Sequence, residues 1–249
     1  MPTEISARGP LGTELSLPPG FRLVTLREVG DAFVHAKTHA AELGAGTLVF
    51  VGRFDLAEFA VVLEPDEPLV TARRAFYAGM SALADALAAH APPEKPIEFA
   101  WPDAINVDAG LVGGGRLAWS DGPEDEPAQW LVFGAMIRTV SMLEGDPGLR
   151  PLATALEEEG FEGLESGRLA ESFSRHLMTT VDAWQERGFG AVARDYLARL
   201  APEGGVSRSI ADNGDLLTRR TGKADLERRE LLPRLAQPSW LDPKSKAPR

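Results

Sequence analysis

The residues whose types and spacing could do chemistry gather in two places. The first is the run FAWPDAINVDAGLVGGGRLAW, from Phe99 to Trp119, which sets Trp101-Pro102-Asp103 one strand ahead of Gly113-Gly114-Gly115-Arg116. Glycine loses the most freedom on folding, so three in a row are costly unless the backbone must come close to another strand or to a ligand. A ligand could lie flat against such a backbone, and Arg116 could offer a planar fork to a carboxylate. Asp103 could face polar ligand atoms or simply cap a turn. Trp101 equally suits a core, with Pro102 ending its strand.

The second place is Asp31, His35 and His39, spaced i, i+4 and i+8 on one helical face. That spacing could hold zinc. The same face lies opposite Phe33, Ala36, Ala40 and Leu43, where polar residues belong in any amphipathic helix, and that bland role is the stronger one. His90 and His176 read as helix-end and helix-surface residues.

Composition removes whole classes of function. The chain has no cysteine, which excludes thiolate nucleophiles, thiolate metal sites and disulfides. Its formal charge is −11 over 249 residues, so no nucleic-acid and no anionic-membrane partner is expected. No apolar run approaches the length of a membrane span, and the N-terminus lacks the basic-then-apolar pattern of a signal peptide. The chain therefore reads as cytoplasmic. Its length suits one large domain, or one domain with a small appendage.

The elements that must position these residues follow from periodicity. REVGDAFVHAKTHAAELGAG predicts a helix closed by Gly44 and Gly46. TLVFV and EFAVVLEP predict strands, joined only by GRFDLA. LVTARRAFYAGMSALADALAAHAPP predicts a long helix, and PIEFAW, AINV, GGRLAW and QWLVFGAMIRTV predict a run of strands. LRPLATALEEEGF predicts a short helix, and two longer ones follow from Gly167 and Phe189. GVSRSIADNGDLLTRR predicts a hairpin with its turn at Asp212-Asn213-Gly214, and LDPKSKAPR a loose tail. The fold class is α/β, a mixed sheet flanked by helices.

The order of these segments over roughly residues 20–220 resembles the catalytic domain shared by biotin protein ligases, lipoate protein ligases and octanoyltransferases. AWPDAI resembles the biotin-ligase Lys-Trp-Pro-Asn-Asp-Leu motif, with Trp101 and Pro102 intact. LVGGGRLAW resembles the Lys-x-x-Gly-Ile-Leu strand, with Gly114 on the motif glycine. LVFGAMIRTV resembles the Gly-x-Gly-Ile-Asn strand, with Gly134 in register. SRSIADNGDLL resembles the Gly-Ile-Asp-x-x-Gly-x-Leu hairpin of the biotin-ligase C-terminal domain, with Asp212 and Gly214 matching.

The resemblance implies a catalytic-type domain over residues 1–202 and a reduced hairpin and tail over 203–249. It implies a small acyl acid as ligand, meaning biotin, lipoate or a medium-chain fatty acid, and an acceptor protein domain where transfer is retained. The residues it points to are Arg53, Trp101, Pro102, Asp103, Gly113, Gly114, Gly115, Arg116 and Gly134. ATP and Mg²⁺ enter only if adenylation is retained. Several motif residues are replaced. The glycine- and arginine-rich loop that closes over the acyl-adenylate in the biotin branch is cut down to GRFDLA, with Arg53 its only base. The motif lysines fall on Ala100 and Leu111, and the motif Asn and Asp on Asp103 and Ala104. The resemblance makes Arg116 the nearest cation to stand in for the lysine at Leu111, and since plain strand alternation puts positions 111 and 116 on opposite faces, that requires the glycines to form a bulge. The five lysines, Lys37, Lys95, Lys223, Lys244 and Lys246, stand outside every motif. Charge building on a phosphate needs such fixed cations. The octanoyltransferase route needs a cysteine that this chain lacks. A non-catalytic acyl-binding or regulatory role is the alternative.

Overall fold

Short apolar runs punctuated by Gly and Pro assemble into a seven-stranded sheet in a computed structural model that describes residues 15–142 and 153–249. Its strands are β1 (Arg22–Leu26), β2 (Thr47–Val51), β3 (Leu56–Leu63), β4 (Ile97–Ala100), β5 (Ala104–Val107), β6 (Gly110–Trp119) and β7 (Leu131–Arg138). Their order is β1-β2-β3-β7-β6-β5-β4. β1 pairs parallel with β2, and every other neighbouring pair is antiparallel. β2, β3 and β7 are covered on both faces, so they read as continuous apolar runs rather than alternating ones.

Helix α1 (Ala32–Leu43) lies on one face over β2, β3 and β7, burying Ala32, Ala36 and Ala40. On the other face sit α3 (Ala75–Ala88), α4 (Ser166–Arg187) and α5 (Phe189–Leu197), around Phe59, Phe76, Phe133 and Phe173. The long helix expected from Leu69 is divided into α2 (Leu69–Ala72) and α3. At the joint Arg73 is buried and donates twice to Glu124, both bonds at 2.6 Å.

Three expectations are corrected. No helix forms over the described part of LRPLATALEEEGF; residues 149–152 lie outside the described residues. Its backbone donors are used by the sheet instead, with Thr154 N bonding Leu111 O and Leu156 N bonding Arg138 O. The hairpin of β8 (Val206–Ile210) and β9 (Leu216–Arg220) gains a third strand, β10 (Leu226–Arg229), and then a short helix, α6 (Leu231–Leu235). The tail is not loose: Leu241 pairs with Pro248, and Trp240 is fully buried against the sheet. Asp242 turns the chain by accepting from Lys244 N and Ser245 N, a local contact with no periodicity to announce it.

Candidate functional site

Where β1 and β2 end, the chain leaves a cavity of about 820 Å³. The short β2–β3 connection forms one side of it. Arg53 donates to both oxygens of Asp55, Nε at 3.0 Å and Nη2 at 2.6 Å, and the hydrogen bond to Asp55 raises the guanidinium pKa above its ordinary value. Ser166 Oγ donates to Arg53 O at 2.6 Å, and Thr139 Oγ1 donates to Phe54 O at 2.6 Å. The connection is thus pinned by α4 and by the end of β7. The cavity wall is mostly apolar, through Leu26, Phe50, Phe54, Val140, Phe161 and Leu164. Its charged lining is Arg27, Glu28, Arg53, Glu157 and Glu165. Val29 and Phe54 stand at its edge, 96% and 64% exposed. A volume of this size with a mostly apolar wall and a set of charged groups suits a small molecule with an apolar body and a polar or charged end.

The other residues singled out in the sequence lie elsewhere, on β4 to β7. The expected bulge is present: Ile105 pairs with Gly113 and Asn106 with Leu111, leaving Val112 as the extra residue. Gly113 sits at φ 152, in a region that favours glycine. The three glycines answer three different neighbours. A Cβ on Gly113 would meet Met136 O of β7. One on Gly114 would meet Asp103 O and the Trp240 ring, and one on Gly115 the side chains of Met80 and Phe133. The close approaches that sequence suggests are therefore all made by this chain itself.

Trp240 fills the groove between the Trp-Pro turn and the glycine strand. Its indole Nε1 donates to Gly115 O at 3.1 Å. Beside it the buried Asp103 carboxylate accepts from Ser239 N at 2.8 Å and Ser239 Oγ at 2.7 Å. Burial pushes the Asp103 carboxyl up, against the Ser239 hydrogen bonds that favour its charged form. Trp101 faces away from this groove toward α3, donating to Tyr77 OH at 3.3 Å, and Pro102 O accepts from Tyr196 OH at 2.7 Å.

Arg116 and Gly134 pair across β6 and β7 under α1. Phe33 lies where a Gly134 Cβ would be, and the Arg116 guanidinium stacks on the same ring at 4.4 Å. Arg116 Nη2 is 3.6 Å from Asp31 Oδ1, its Nε is buried without a partner, and burial lowers its pKa. Glu58, an acid inside an otherwise apolar strand, accepts from Ala32 N at 2.8 Å; burial raises its pKa, with Arg116 and Arg53 opposing. Asp31 caps α1 by accepting from Val34 N at 2.9 Å, while the His35 and His39 rings stack at 4.5 Å. Among the described residues no group of three His, Asp or Glu is gathered for a metal ion, and no helix is long and apolar enough to cross a membrane.

Sequence reasoning missed most of the cavity, including Thr25–Val29, Thr139, Phe161 and the start of α4, because it is assembled from strand ends far apart in the chain. It also missed Trp240 and Ser239. Their only trace in the sequence was a lone Trp-Leu pair between Pro238 and Pro243 in an otherwise polar tail.

Residues 17–198 match the family described as the biotin/lipoate A/B protein ligase family. Among solved structures, a biotin protein ligase-like protein of unknown function from a Silicibacter species is 25% identical, with TM-score 0.73, covering 86% of this chain and 96% of that one. The biotin protein ligase from Aquifex aeolicus is 16% identical, with TM-score 0.63, covering 85% of this chain and 100% of its own. The biotin protein ligase from Leishmania major, solved with biotinyl-5-AMP, is 16% identical, with TM-score 0.52, over 86% and 100%. No curated protein matches the chain. The match over most of its length establishes that the chain belongs to the biotin/lipoate A/B protein ligase family.

Proposed function

We propose that the chain binds a small acyl acid, such as biotin, lipoate or a medium-chain fatty acid, in the cavity beside Arg53, and does not activate it efficiently with ATP. The observation that carries this reading is the cavity itself: apolar walls for an acyl chain, and two arginines, Arg27 and Arg53, for its carboxylate. Arg53 is the one residue of the family-implied set that lines it.

The donor set does not fit a triphosphate. Asp55 already holds Arg53 Nε and Nη2, and Glu28, Glu157 and Glu165 share the lining, so Arg27 and the remaining edge of Arg53 suit a single carboxylate and not the several charges of a triphosphate. Lys95 is paired with Asp108 and Glu159. Adenylation spreads negative charge over phosphate, and acids nearby disfavour it. Binding without activation is therefore favoured over acyl transfer to an acceptor protein, and the cytoplasm is the compartment that fits the composition.

A thermal-shift series with biotin, lipoate and octanoate, paired with pyrophosphate exchange, tests both halves. A ligand that binds only the folded state raises its melting temperature. At least one acid is expected to do so, with exchange at background. No shift at saturating acid would end the binding reading. Acid-dependent exchange at ordinary enzyme turnover would end the other half and restore the transferase.

A further inference from the structure

Hydrogen-bond donors and acceptors are unevenly matched around the cavity beside Arg53. Two buried hydroxyls line it, Thr139 and Ser166. Each has one hydrogen and spends it on a main-chain carbonyl, which can only accept: Thr139 Oγ1 on Phe54 O and Ser166 Oγ on Arg53 O, both at 2.6 Å. A ligand therefore meets these hydroxyls as lone pairs. Glu28, Glu157 and Glu165 add carboxylates, and none of their side chains has a hydrogen bond or ion pair with another described residue. Donors are fewer. Arg53 commits Nε and Nη2 to Asp55, and Arg27 is the lining cation without an ion-pair partner among the described residues. With Asp55 balancing Arg53, the lining sets Arg27 against three carboxylates.

The lone cation and two of the acids come from different elements. Arg27 follows β1, in a turn closed by Gly30 N on Arg27 O at 2.8 Å. Glu157 and Glu165 belong to the segment that leads into α4, and the two buried hydroxyls stand beside them. Glu157 N donates to Thr139 O at 3.0 Å, and Glu165 directly precedes Ser166. The acceptors without donors are thus gathered on the α4 side of the cavity. A carboxylate taken up there alone would add to this excess of negative charge and leave the lone pairs to water.

We infer that the acid taken by this cavity also carries an amine at a distance from its carboxylate. The carboxylate meets Arg27 and the free edge of Arg53, an apolar body lies along Leu26, Phe50, Phe161 and Leu164, and the ammonium meets the acceptors on the α4 side. An ammonium brings three N–H donors, a positive charge and no acceptor, which matches two committed hydroxyls beside two free carboxylates. The inference rests on the acid-binding reading above and names what else that acid carries.

Three probes of one chain length test this by titration into the full chain at low salt: octanoate, 8-aminooctanoate and octylamine. In a purely apolar pocket the added amine would weaken binding, because a buried charge without partners is costly, so the sign of the difference decides. 8-Aminooctanoate is expected to bind at least ~5-fold more tightly than either of the others, from hydrogen bonds and ion pairs to charged groups. The advantage should shrink in 1 M salt, since the three carboxylates are exposed and screened. Glu157→Gln with Glu165→Gln should remove it while octanoate binds as well as before or better. Octanoate binding the parent as tightly as 8-aminooctanoate, or more so, would overturn the inference and leave the acid reading standing. Octylamine binding as well as 8-aminooctanoate would overturn the need for a carboxylate, and no binding by any of the three would end both readings.

Discussion

At the β2 end of the sheet the chain keeps space open, with Arg53 and Phe54 over a cavity of about 820 Å³. At the β6 end it fills the comparable space with its own Trp240. At the β2 end Arg53 and Asp55 hydrogen-bond each other and leave apolar walls bare; at the β6 end Asp103, the Gly115 carbonyl and Arg138 are all met by the Ser239–Arg249 segment. The resemblance points to a ligand at these glycines, and in this chain their neighbours are its own backbone and side chains. The glycines of β6 therefore testify to close packing, and the ligand reading rests on the empty end.

Arg53→Ala should separate the two ends most strongly. Acid binding in the cavity is expected to weaken by about 1.5–3 kcal/mol, the range for a hydrogen bond to a charged group. Its ion pair with Asp55 is part-exposed, so urea denaturation should register a loss of under about 1 kcal/mol. Equal losses in binding and stability would make Arg53 a structural residue.

The same substitution at two glycines sharpens the contrast. Gly114→Ala places a Cβ on Asp103 O and the Trp240 ring, and should cost roughly 1–3 kcal/mol in chemical denaturation. Gly52→Ala, at the cavity, meets nothing within 4 Å and should stay within about 0.5 kcal/mol of the parent. Similar costs at both positions would erase the distinction between a filled and an open end.

Ser239→Ala removes one donor to Asp103 and leaves the backbone N–H in place. A loss of about 0.5–1.5 kcal/mol is expected. Faster exchange at Lys246 and Arg249, with α3 unchanged, would place that loss in the Ser239–Arg249 segment.

The smallest effect is one of pH. Burial raises the Glu58 carboxyl above its ordinary value of 4.5, so its folded form favours the proton. Stability from this group is fully present below that value and is lost as pH rises through the folded one. Glu58→Gln should therefore gain stability relative to the parent as pH increases from 4.5 toward neutrality. A difference that stays flat with pH would mean that the Ala32 N–H bond, with Arg116 and Arg53, fully offsets burial and the Asp31 charge.

The centre of the sheet was legible in the sequence because β2, β3 and β7 are apolar on both faces, and the runs around them are bounded by Gly and Pro. TLVFV coincides with β2 and AINV with β5. β1 was not, since its side chains are only half-buried at the sheet edge and carry no clear period. The bulge that brings Leu111 and Arg116 to one face was anticipated as a requirement, and Gly113 supplies it. What Arg116 meets there was not: Asp31 and Phe33 come from a helix far back in the chain, and no local pattern links them. The cavity was represented only by Arg53, because strand ends, a helix start and a turn converge on it through topology alone.

Calorimetric titration of octanoate, biotin and lipoate into the parent, Arg53→Ala and Ser239→Ala tests the central claim most directly. At least one acid is expected to bind the parent, to bind Arg53→Ala at least ~10-fold more weakly, and to bind Ser239→Ala unchanged. Acid affinity that survives Arg53→Ala but changes with Ser239→Ala would move the acid to the glycine groove and contradict the assignment of the open end as its site.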